Sequence, residues 1–91
     1  MLNEAAIIKD LRKTAREITS RKTWSMYDAA RLLGYSRKHI DQVIIRAGCF
    51  TPRIGGIKRV YGLDLLEIFE HKNELEFPDL AAAWRQTFKI S

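Results

Sequence analysis

Apolar residues in this chain recur mostly at three- and four-residue spacing, with one break where short extended runs flank a pair of glycines. From Asn3 to Ser20, Ile7, Leu11, Ala15 and Ile18 form one helical stripe, and Lys9, Arg12, Lys13 and Arg16 lie largely away from it. "TSRKT" interrupts that pattern. A second helix is expected after Ser25, an N-cap residue, with Asp28 at its third position. Gly34 ends it. Ser36 caps a third helix, "RKHIDQVIIRA", which Gly48 terminates. Two short helices are thus expected, joined by a turn of about three residues.

"CFTPRI" and "IKRVY" then flank Gly55 and Gly56. Two extended runs around two glycines predict a hairpin with a primed turn, which needs positive φ at both turn residues. Pro52 demotes its strand to an edge or a short one. From about Leu63 the helical pattern resumes, with Glu67, Glu70 and Lys72 outside. Pro78 suits the first turn of a last helix carrying Leu80, Trp84 and Phe88 at four-residue spacing.

On a helical wheel the third helix gathers Ile40, Val43, Ile44 and Ala47 on one face. Lys38, Gln42, Ile45 and Arg46 lie on the other. The inward face needs a partner, and the second helix offers Ala30 and Leu33 across the glycine turn. Ala30, Gly34, Ile40 and Val43 fall at the spacings of a helix-turn-helix, where a small residue permits close approach and β-branched residues fill the crevice. A hairpin following such a unit reads as a wing. The expected fold class is therefore mainly α with a small β-hairpin, a winged helix-turn-helix with helical extensions at both ends. Residues 1–22 form the first extension, 23–76 the DNA-binding domain and 77–91 a C-terminal helix suited to oligomerisation.

Charge sharpens that reading. Residues 1–61 hold 13 Lys/Arg against 5 Asp/Glu, and residues 62–91 hold 3 against 6. A basic segment coinciding with the helix-turn-helix and hairpin points to a polyanion, most often nucleic acid. Arg37 and Lys38 occupy the first turn of the third helix, where its dipole disfavours cations unless a phosphate lies nearby. Lys38 and Gln42, one turn apart, have the reach for base edges. Ser36 and Arg37 anchor phosphate, with His39 and Arg46 beside them. Ile45 either meets a thymine methyl or packs against the hairpin. Arg53, Lys58 and Arg59 supply phosphate or minor-groove contacts, and Gly55 and Gly56 keep the tip slim.

From about Trp24 to Lys72 the chain resembles the excisionase-like, MerR-like winged helix-turn-helix proteins. "AARLLGYSRKHI", a helix ending in "RAG", "RIGGIKRV" and "LDLLEIF" carry the resemblance. It implies a closing helix beginning near an aspartate, here Asp64, although Gly62-Leu63 lacks the usual polar cap. It also implies a small cytoplasmic, nucleoid-associated protein of a mobile element that binds double-stranded DNA as a transcriptional regulator or recombination directionality factor. A recombinase or another DNA machine is a possible partner. A small-terminase-like DNA-packaging or replication accessory protein, and a protein-interaction module without DNA binding, stay open as alternatives.

No enzyme is expected. His39 and His71 lie far apart, Cys49 stands alone, and the glycine pair lacks the lysine–hydroxyl sequence of a phosphate loop. No cofactor or metal is implied. No apolar run approaches the roughly 20 residues that cross a bilayer, and a single cysteine fits a reducing compartment. The terminal stripes, Ile7, Leu11 and Ile18 with Leu80, Trp84 and Phe88, either pack back onto their own domain or pair between chains, and the favoured expectation is a homodimer or a DNA-assembled oligomer.

Overall fold

A computed structural model describes residues 4–80. Helix α1 spans Glu4–Thr19, with Glu4 in its first turn and Arg16 in its last, both suited to the helix dipole. Its end is closed by side chains, since Thr19 Oγ1 donates to the Ala15 carbonyl at 3.1 Å and Ser20 Oγ to that of Glu17 at 2.6 Å. Helix α1 packs on the closing helix α4, Gly62–Glu76. Ala15 and Ile18 lie fully buried in the same core cluster as the helices beyond. The N-terminal helical extension thus contributes to the same core as residues 23–76. Ile18, expected on an intermolecular stripe, belongs to the chain's own interior, and Leu11 packs against that interior half-buried, as Ile7 is half-buried further along.

After α1 the chain forms a strand absent from the sequence expectations, β1 (Thr23–Ser25). Trp24 is its buried residue, and its indole N–H donates to the Ile18 carbonyl at 2.8 Å. Ser25 ends the strand and caps α2 (Met26–Leu33), accepting the Asp28 amide at 3.2 Å. Gly34 follows at φ +74°. The Tyr35 amide then reaches back to the Ala30 carbonyl at 2.9 Å. Ser36 caps α3 (Arg37–Arg46) by accepting the His39 amide at 3.1 Å. Both caps satisfy amides that a helix start leaves without a partner.

Strands β2 (Arg53–Ile54) and β3 (Ile57–Tyr61) make the hairpin, in register Arg53↔Lys58 and Ile54↔Ile57. Gly55 and Gly56 sit at φ +62° and +78°, the two positive values a type I′ turn needs. β2 is only two residues long, as Pro52 at its start suggests. β3 also pairs antiparallel with β1, through Trp24↔Val60, so the sheet order is β1-β3-β2. The architecture is mainly helical with this small three-stranded antiparallel sheet.

The core lies between the sheet and the helices. Ile40 and Ile44 of α3 and Leu33 of α2 meet Trp24 and Val60 from the sheet and Leu65 and Phe69 from α4. Truncating Ile40, which is wholly buried, would cost about 2–5 kcal/mol. Val43 is half-buried as the wheel suggests, but Ala47, the residue that caps the end of α3, is exposed among the described residues. Helix α4 has no side-chain cap. Its first amide, Gly62 N–H, instead donates to the Lys22 carbonyl at 2.9 Å. Pro78 opens a 3-10 turn, Pro78–Leu80, on which Leu80 is buried. Trp84 and Phe88 lie outside the described residues. No helix among the described residues is long and apolar enough to cross a membrane.

Candidate nucleic-acid interface

Two elements bring the sequence-selected residues together. Helix α3 turns Ile40 and Ile44 inward, which by helical geometry leaves the side chains of Lys38, Gln42, Ile45 and Arg46 outward. All four are exposed. Lys38, Gln42 and Arg46 have no polar side-chain partner among the described residues, so their reach is uncommitted. Ile45 is 68% exposed and does not pack beneath the hairpin, contrary to one of its two expected placements. His39 is exposed too, but its ring leans on Tyr35, centroid to centroid 4.6 Å. Lys72 of α4 lies over the same Tyr35 ring at 5.6 Å. Tyr35, in the turn between α2 and α3, thus contacts both α3 and α4 through its ring.

The hairpin is tethered to α3 by Asp41. Asp41 Oδ2 accepts from Arg37 Nη1 at 2.9 Å, and Oδ1 lies 3.5 Å from Lys58 Nζ. One carboxylate on the helix therefore holds a cation from its own first turn and another from the hairpin. These groups are about a third to a half exposed, so each pair contributes at most about 1 kcal/mol to stability. Their larger consequence is positional. Arg37 of α3 and Lys58 of the hairpin are held at one carboxylate.

The three hairpin cations are not equivalent. Arg53 is exposed and curls its guanidinium onto the Gly56 carbonyl at 3.2 Å. Arg59 is half-buried, and its Nε and Nη2 donate to Thr23 Oγ1 at 2.9 Å and to the Thr23 carbonyl at 3.3 Å. It stitches β3 to β1 and has fewer donors left for a phosphate than the sequence expectation gave it. Nothing local in the sequence signals this, because Thr23 is 36 residues away. Asp41 was legible in part, as an acid four residues after Arg37 on a helix.

At the edge of this face, where Arg46 lies, a groove of about 600 Å³ separates α3 from α4, lined by Val43, Arg46, Cys49, Asp64, Glu67 and His71. Burial pushes the Cys49 thiol above its usual value, and the Asp64 and Glu67 carboxylates add to the shift by disfavouring a thiolate. Among the described residues, no group of three or more His, Cys, Asp or Glu is placed to hold a metal ion. In comparisons with protein-family models, curated proteins and solved structures, no match to this chain was found.

Proposed function

We propose that this chain is a winged helix-turn-helix protein that binds double-stranded DNA sequence-specifically. We propose further that it regulates transcription or directs recombination for a mobile element. In this reading α3 enters the major groove, Lys38 and Gln42 meet base edges, and the β2–β3 hairpin is the wing. Ser36 and Arg37 hold phosphate at the start of α3, with Arg53 and Lys58 on the adjacent backbone.

The observation that carries the reading is the bridge from α3 through Asp41 to Lys58. It brings one helix cation, Arg37, and one hairpin cation, Lys58, to a single carboxylate, as a ligand with a continuous anionic backbone spanning both elements requires. Uncommitted Lys38 and Gln42 beside that bridge supply the reading groups.

The test is selection of bound duplexes from a random DNA pool by the full chain, followed by affinity measurement across salt concentration. A recovered consensus, with affinity falling steeply as salt rises, is the expected result. Absence of any retained duplex at low salt refutes it. Retention without a consensus refutes the sequence-specific part.

A further inference from the structure

The tip of the hairpin is apolar, and the cationic reading does not use it. Ile54 and Ile57 face each other directly across the Gly55-Gly56 turn and are 52% and 57% exposed. Facing residues in an antiparallel pair project from the same side of the ribbon, and successive residues alternate sides. Arg53 and Lys58, the next facing pair, therefore project from the opposite side. Lys58 shares its side with Val60, which is fully buried, and meets Asp41 there. The hairpin thus ends in two isoleucines on one side, backed by two cations on the other.

Single apolar residues scattered on a surface need no explanation. A matched pair at the extremity of a narrow hairpin does. Strand propensity alone does not call for it, since threonine is also β-branched and suits a solvated strand.

We propose that Ile54 and Ile57 form a wedge that enters a base step of double-stranded DNA from the minor groove. This rests on the DNA-binding reading above. The major groove is taken by α3 in that reading, and the minor groove, about 6 Å wide, admits a hairpin tip but not a whole ribbon. Arg53 and Lys58 then meet the phosphates flanking the groove while the isoleucines contact the opened step. Apolar side chains inserted in this way unstack the step and kink the duplex toward the major groove by about 20–90°.

The experiment uses the full chain and a duplex recovered from the random-pool selection. The duplex carries 2-aminopurine at each step in turn and a dye pair at its ends. Wild type should raise 2-aminopurine emission several-fold at one step and shorten the end-to-end distance. Ile54→Thr with Ile57→Thr should abolish both signals while leaving the salt dependence of binding and the thermal midpoint unchanged. Ile54→Val with Ile57→Val, which stays apolar, should retain both signals.

Equal unstacking by the threonine variant overturns the wedge. So does wild-type binding with the duplex fully stacked, which leaves the DNA-binding reading intact. If wild type binds no duplex at all, both fall. Loss of self-association in the threonine variant, with unstacking unchanged, assigns the pair to a protein interface and overturns the wedge.

Discussion

Replacing Gly62 by alanine should destabilise this protein strongly, although glycine-to-alanine within a helix is usually favourable. Gly62 is the first residue of α4 and is buried against the segment joining α1 to β1. A Cβ there would lie 2.6 Å from the Arg21 carbonyl oxygen and 2.9 Å from that of Ile18. The shorter distance is about 0.8 Å inside the 3.4 Å at which ordinary contact begins. Both obstacles are backbone, so neither can rotate away.

Moving α4 outward would stretch the Gly62–Lys22 hydrogen bond, 2.9 Å long. Moving the end of α1 instead would disturb the Ile18 carbonyl, which also accepts the Trp24 indole at 2.8 Å. Overpacking of this kind costs about 1–3 kcal/mol, and a buried amide left without its acceptor costs about 1–3 kcal/mol more. The opposing gain in helix propensity is at most about 1 kcal/mol, and less at a first helical position. The clash wins, with a net loss of about 2–4 kcal/mol. In a domain of this size that lowers the thermal midpoint by roughly 10–25 °C.

Urea and thermal unfolding followed by circular dichroism would measure it. Leu63→Ala serves as the control, because Leu63 is the next residue and 76% exposed. It should stay within about 0.5 kcal/mol of wild type. A Gly62→Ala protein as stable as wild type would refute the reasoning, since it would mean that α4 does not approach the linker this closely.

Gln42→Ala should relax base preference at one position of the selected site and weaken specific binding by about 1–3 kcal/mol; equal loss on specific and scrambled duplexes would show that Gln42 does not read bases. Arg53→Ala with Lys58→Ala should reduce the slope of log affinity against log salt by up to about two units, whereas Arg59→Ala should act mainly on thermal stability, because its donors serve Thr23. Asp41→Asn should release Arg37 and Lys58 and remove a negative charge from the proposed DNA face, raising affinity for scrambled duplex by roughly threefold or more and steepening the salt slope; weaker binding would mean that Asp41 chiefly orients those cations. Cys49 should react with iodoacetamide more slowly at pH 8 than it does in urea, because its raised pKa keeps the thiol protonated. The folded chain holds that proton to higher pH than the unfolded chain, whose thiol titrates near about 8.5. Stability from this group is therefore full below that pH and declines as pH climbs through the folded value, which unfolding at pH 7 and 10 would compare for wild type and Cys49→Ala.

The parts of the fold legible in the sequence are those decided within about five residues. Ser25 and Ser36 cap helices because each side chain accepts an amide three residues ahead, an interaction written in local spacing. Gly34 and the Gly55-Gly56 pair adopt positive φ where a turn requires it, and little else in the sequence could. The inward placement of Ile40 and Ile44 follows from helical periodicity once those ends are fixed. The cations of the candidate site were legible as residues for the same reason, because periodicity alone sets which of them face outward on α3.

The tertiary structure decided everything that depends on partners far along the chain. Thr23–Ser25 is too short and mixed to read as a strand, and it becomes one only by pairing with β3. The α1 stripe looked available to another molecule until α4 was placed against it, burying Ala15 and Ile18. Arg59 looked like a free hairpin cation until β1 set Thr23 beside it. Gly62 looked like a missing cap, whereas its lack of a side chain is what admits the Arg21 and Ile18 carbonyls. Local hydrogen bonds and periodicity fix where elements begin and which face turns inward. Which surface each face meets, and which charges remain free, is set by packing between segments that no local pattern relates.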